Sequence, residues 1–270
     1  MIRPARRASK PGGAAVTAAL AISIAPEAAQ SAALRERVQV LESRPGVREV
    51  LLVTEATRAD PEALHAVLVL GGGGGGFAVT SRDGVPSVHG GLPLSQRQRL
   101  ANTIGGPVVA LSPPSDRPVM DRAWRLSDDH VADMQTAVQW TKQQWPHART
   151  WVLGLNNGAL SAAVATASID DLAGAVLLSC VDEALDQPQK SDRMRVLAVR
   201  HRTDGAASHA GQPQAGGRKT VVTVHDARQS RQHAIDAGNI VHPQFKGKEQ
   251  QVVDVVARWI LTGAAPDEIR

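Results

Sequence analysis

Tyrosine is absent from the 270 residues, phenylalanine occurs twice and cysteine once. With so few other rings, the five tryptophans must supply most of the aromatic bulk of any core. A lone cysteine, Cys180, excludes an intrachain disulfide in any compartment. Neither H-E-x-x-H nor a Cys/His ligand spacing occurs, so no dedicated metal site and no cofactor are expected. Arginines are scattered, with no basic patch interleaved with aromatics, which argues against nucleic acid as a partner.

Charge imbalance is also missing from most of the chain. The formal net charge is +4, but residues 1–33 hold Arg3, Arg6, Arg7 and Lys10 against Glu27. Removing that net of +3 leaves the remainder at +1. The same segment reads as a secretory leader, with a basic start, an apolar stretch over 14–25 and small residues around 28–33. The apolar stretch is too short to span a bilayer, so no membrane association is expected once the leader is removed. A disordered, alanine-rich tail is the plainer alternative. The leader reading implies a periplasmic or secreted protein, with one domain over 34–270.

What is present is a series of short apolar runs alternating with helical stretches. Strands are expected over 47–54, 65–70, 106–112, 150–153, 173–179, 195–199 and 219–224. The run over 65–70 is apolar throughout and so belongs at the centre of a sheet. Ser127 should cap a helix carrying Asp128 and Asp129 in its first turn and running to about Gln144. A final amphipathic helix is expected from about Lys248 to Leu261, with Gly263 as its cap. Together these indicate an α/β fold, a mostly parallel central sheet with helices on both faces.

The most informative segment runs from Trp151 through Gly154-Leu155-Asn156-Asn157-Gly158 to Ala163. It has the form of a strand, a sharp turn bounded by two glycines, and a small-residue helix. In G-x-S-x-G enzymes such glycines permit a strained turn that presents the central serine above the sheet. Here Asn156 stands at that centre. Its amide nitrogen shares its lone pair with the carbonyl, so it cannot replace a serine in acyl transfer.

In hydrolases built on such an elbow, the acid and the histidine follow in that order at later strand ends. Asp204 lies on a turn just past one such strand, and His242 lies in the loop before the last helix. Each alone reads as a turn aspartate or a surface histidine; the ordered set 156, 204, 242 favours a site. His225, nearer its strand end, competes for the histidine role, and His201, His209 and His233 complicate the choice. Six glycines over 71–76 permit close backbone approach, so Gly72, Gly73 and Gly74, with the amide of Asn157, would form an oxyanion hole. The same run matches G-x-G-x-x-G, but a β-like, turn-rich segment follows it and no G-K-[ST], so a nucleotide site is disfavoured. Two other serines could serve as nucleophile: Ser161, which should point into packing, and Ser179, at a strand end.

Several pieces together resemble a group of bacterial α/β-hydrolase-fold proteins. They are Leu68-Val69-Leu70 with the glycine run, Ser112-Pro113-Pro114-Ser115-Asp116-Arg117, Arg125-Leu126-Ser127-Asp128-Asp129-His130, and the elbow. They continue with His201-Arg202-Thr203-Asp204-Gly205 and with His242-Pro243-Gln244-Phe245-Lys246-Gly247-Lys248-Glu249, leading into Trp259-Ile260. The resemblance covers about residues 45–262 and implies an α/β-hydrolase fold with a Ser-Asp-His triad acting on ester-like bonds. The chain departs from the pattern at Asn156, and at Asn157, where a basic residue is usual. Cysteines expected near Ala206 and Ala237 are absent, and the spacing from His242 to Glu249 is one residue longer than usual. The resemblance therefore implies an esterase-like protein with a degenerate triad, binding a small acyl or carbonyl compound. The alternative is a slow hydrolase using another nucleophile or a water activated by His242 and Asp204.

Overall fold

The computed structural model describes residues 34–56, 64–82, 85–89, 91–180, 182–191, 193–202, 219–225, 235–236, 239–240 and 245–270. The expected leader over 1–33 lies outside them. The described chain opens with a hairpin of β1 (Leu34–Arg44), which sequence patterning did not suggest, and β2 (Val47–Ala56), which contains the strand expected over 47–54. It turns at Gly46, whose φ of +74° suits a residue without a side chain. Arg44 closes the hairpin end onto the body of the protein. Its guanidinium donates to Asp133 at 2.8 and 3.2 Å and to Asp116 at 3.0 Å, and it lies 5.2 Å from the centre of the Trp124 ring.

β3 (His65–Leu70) is buried at every position, as its unbroken apolar run predicts. The segment after the glycines forms a small hairpin, β4 (Ala78–Arg82) with β5 (Val85–His89). Next come α1 (Arg97–Ile104), β6 (Val108–Leu111), the short α2 (Arg122–Arg125) and α3 (Asp128–Gln144). The expected cap of α3 is present: the Ser127 hydroxyl accepts from the His130 backbone N–H at 3.2 Å. β7 (Arg149–Leu155) leads into α4 (Asn157–Ser168), followed by β8 (Leu172–Leu178), α5 (Asp182–Asp186), β9 (Arg195–His201) and β10 (Lys219–Val224). After the two-residue pair β11 (Ile235–Asp236) and β12 (Asn239–Ile240), α6 (Glu249–Thr262) ends at Gly263, with φ +79°, and β13 (Glu268–Ile269) follows.

Nine strands form one sheet in the order β1-β2-β6-β3-β7-β8-β9-β10-β13. β1 with β2 and β2 with β6 are antiparallel, and the pairs from β6 to β13 run parallel. Alternation along the strands divides the core in two. Val67, Val69, Trp151, Leu153 and Leu155 face a layer containing Leu100 of α1 and Val256 and Trp259 of α6. Ala66, Leu68, Leu70 and Val152 face the layer built on Met134 of α3 and Ala159 and Ala163 of α4. Helices therefore cover both faces, as expected. β6 flanks β3 on one side and β7 on the other, so the order reverses there, and the carboxyl ends of such strands form the usual ligand crevice.

Candidate functional site

The elbow sits at that reversal. β7 ends at Leu155, Asn156 has φ 52° and ψ −119°, and α4 begins at Asn157. A positive φ is uncommon for a residue with a side chain, and asparagine is among those that adopt it most readily. The strain sits on Asn156 itself; neither flanking glycine, Gly154 or Gly158, has a positive φ in the left-handed range. Their part differs from the sequence expectation, because they are needed for close approach. A Cβ on Gly154 would collide with the Gly158 carbonyl oxygen. One on Gly158 would collide with the Leu70 oxygen and lie 2.7 Å from that of Gly71. The first turn of α4 is thus pressed against β7 and the end of β3. Asn156 is held by its backbone, its N–H donating to Leu178 at 2.9 Å and its carbonyl accepting from Ala159 at 2.9 Å. The residue is 4% exposed, and its Oδ1 is buried with no hydrogen-bond partner among the described residues.

The glycine run folds into a tight loop beside the elbow. Gly75 N–H donates to the Gly72 carbonyl at 2.8 Å, and Gly73 and Gly75 have φ of +54° and +88°. A Cβ on Gly72 would lie 2.8 Å from the Leu155 carbonyl oxygen, so the loop and the elbow touch backbone to backbone. A cavity of about 180 Å³ opens there, lined by Gly71, Gly72, Gly73, Gly76, residues 91–94, Leu155 and Asn156. Two of the three glycines expected in an oxyanion hole therefore border it. Gly74 packs towards Val119, and the Asn157 side chain turns to donate to the Gly73 carbonyl at 3.3 Å.

A buried cation that sequence reading did not assign holds this loop. Arg125 is fully buried at the end of α2 and donates to the carbonyls of Gly71 at 3.1 Å and Gly73 at 3.0 Å. Its other terminal nitrogen donates to the Ser161 hydroxyl at 2.7 Å. Burial lowers its pKa to about 10, so the guanidinium stays charged at neutral pH. Ser161 also lies 2.9 Å from Nε2 of His130. Burial, helped by the charges of Arg125 and Arg44, pushes that imidazole down to about 3, so it is neutral. A hydroxyl that accepts from Arg125 can donate to a neutral Nε2, so the Ser161 hydroxyl is engaged as both acceptor and donor. Ser161 is thus enclosed in packing, as expected, and its serine–histidine pair is a structural tie between α3, α4 and the glycine loop.

Ser179 is fully buried at the end of β8, with φ 48° and its N–H donating to Val199 at 2.8 Å. Asp204 and His242, and likewise His209 and His233, lie outside the described residues. His225 is described: its Nε2 faces Glu268 Oε1 of β13 at 3.5 Å. It follows β10, which is separated from β7 by β8 and β9, an offset of about 14 Å at ~4.8 Å per strand. His201 is buried at the end of β9. No group of three potential metal-ligating side chains occurs among the described residues, and no described helix is long and apolar enough to cross a membrane.

No family model matches the chain, and no curated protein matches it in sequence. Solved structures do. A cold-adapted esterase from an Arctic intertidal metagenomic library is 15% identical, with 83% of this chain and 94% of that one covered at a TM-score of 0.53. An esterase of Rhizomucor miehei is 13% identical, covering 88% and 85% at 0.52. Brefeldin A esterase, a bacterial homologue of human hormone-sensitive lipase, is 14% identical, covering 86% and 76% at 0.52. The chain also spans 29% of the length of prolyl oligopeptidase B from Galerina marginata, at a TM-score of 0.43 and 14% identity. With the strand order and the elbow already in place, the likenesses to the three esterases establish that the chain has the α/β-hydrolase fold.

Proposed function

We propose that this chain is an exported α/β-hydrolase-fold protein of the esterase lineage that binds a small acyl or carbonyl compound and has lost its serine chemistry. The observation that carries the reading is Asn156, a carboxamide on the strained turn between β7 and α4. A carboxamide offers no nucleophile of useful strength, and Ser161 and Ser179 are both fully buried. The cavity above Asn156, about 180 Å³, would hold roughly six waters at about 30 Å³ each, the scale of a short acyl group. Its wall is glycine backbone with Leu92, Leu94 and Leu155, which suits an uncharged ligand. In this reading Asp204 and His242 are relics of the triad, and Gly72 and Gly73, which border the cavity, lie around the carbonyl oxygen. Residues 1–33 serve as the export leader, so secreted material should begin near residues 32–34.

The decisive comparison is native protein against Asn156→Ser, assayed by p-nitrophenyl acetate turnover and fluorophosphonate labelling. The native chain should take no label, and the variant should gain label at residue 156. Labelling of the native chain at any serine would refute the reading.

A further inference from the structure

We propose that Asn156 is a self-modifying residue, whose side chain cyclises onto the backbone nitrogen of Asn157 and opens to a carboxylate. The geometry lies in the elbow itself. Tetrahedral bonding sets Cβ about a third of a turn from the backbone nitrogen around the Cα–C bond. A ψ of −119° therefore brings the Asn157 nitrogen almost into eclipse with the Asn156 Cβ. Four atoms of a five-membered imide ring, Cβ, Cα, C and N, already lie close to one plane. In an ordinary helix or strand the same two atoms are turned apart by roughly 80° or 105°. The fold has thus fixed the torsion that an unfolded chain must find by chance, which is how an intramolecular reaction gains its advantage.

Three further features agree. Asn156 Oδ1 has no hydrogen-bond partner among the described residues, so none of them holds that oxygen against rotation. Asn157 is the first residue of α4, and the positive end of the helix favours charge withdrawal from its nitrogen. Asn156 lines the adjoining cavity of about 180 Å³, which is large enough to hold water beside the residue. By sequence alone Asn157 is the more reactive site, because Gly158 presents an unhindered nitrogen. The structure reverses that order. Asn157 lies in α4, and Gly158 is wedged against the carbonyl oxygens of Leu70 and Gly71.

The step balances without an external oxidant or reductant. The Asn157 nitrogen gives up its proton and bonds to the Asn156 Cγ; the bond from Cγ to Nδ2 breaks, and Nδ2 leaves as ammonia with the proton. Water then adds to one imide carbonyl, and the ring nitrogen recovers a proton as its bond breaks. Opening at Cγ leaves an aspartate at the elbow, a carboxylate of the class that forms covalent ester intermediates. Opening at the backbone carbonyl leaves an isoaspartate. Neither outcome depends on what the cavity binds.

The test ages the full chain in mildly alkaline heavy-oxygen water, folded and in denaturant side by side, with fragment mass spectrometry to place the label. Hydroxylamine traps the imide in a parallel sample, and Asn156→Gln, whose ring would need six members, serves as the folded control. The expected result is label and trapped imide at residue 156, at least about tenfold faster in the folded chain than in denaturant. Asn157 should show the opposite order, and the glutamine variant should stay unlabelled at 156. Equal or slower reaction of Asn156 in the folded chain, or label at Asn157 in its place, would overturn the proposal.

Discussion

Replacing Gly158 by alanine sets two effects of opposite sign against each other, and the structure decides between them. Alanine in place of glycine inside a helix is favourable by about 1 kcal/mol. At Gly158 the new methyl would stand 2.7 Å from the Gly71 carbonyl oxygen, and closer still to that of Leu70. Both obstacles are backbone atoms at the end of the central strand, so neither can rotate away. Restoring ordinary contact needs a shift of α4 of nearly an ångström, and overpacking of this kind costs about 1–3 kcal/mol, here near the upper end. The net is a loss of about 2 kcal/mol. For a domain of this size that lowers Tm by roughly 4–8 °C. Differential scanning calorimetry of the variant beside Gly76→Ala provides the check. Gly76 has open space around it and no positive φ, so its variant should stay within about 0.5 kcal/mol of the parent. A Gly158→Ala protein melting at or above the parent temperature would refute the close-approach account of the elbow.

Glu49 should make stability fall with rising pH. It is buried, and desolvation, reinforced by Asp133 and Asp116 against Arg44, raises its carboxyl to about 8. Because the folded value exceeds the unfolded one, its contribution is complete below about 4.5 and is lost as pH rises through 8. Glu49→Gln should match the parent near the acid end and exceed it by up to about 4 kcal/mol towards pH 8, measured by urea midpoints. An advantage that does not change with pH would contradict the burial argument. Ser161→Ala strips one partner from buried Arg125 and one from His130, and should cost about 2–3 kcal/mol in the same urea assay. A loss below about 0.5 kcal/mol would show that this tie contributes little to stability.

The framework was legible where local chemistry and burial agree. β3 is apolar because it is covered on both faces, and α3 announces itself through Ser127, Asp128 and Asp129. β1 was not legible. It is an edge strand in which Val38 and Val40 are about half exposed, so no buried face imposes a period, and its pairing with β2 does the work. The elbow is visible from its glycines, but their part in close packing is not, because the surfaces they approach belong to β3 and to the start of α4. The tie among Arg125, His130 and Ser161 left no local signal. Ser161 is 36 positions from Arg125, and a buried arginine bonded to carbonyls looks in sequence like any surface arginine.

The bend at residue 156 is braced from below, by Gly154 and Gly158 fitting between strand ends and by backbone bonds to Leu178 and Ala159. None of those supports uses the atoms beyond its Cβ. Architecture and chemistry are therefore separable at this point: the scaffold is a mount whose fitting can be exchanged without rebuilding what carries it.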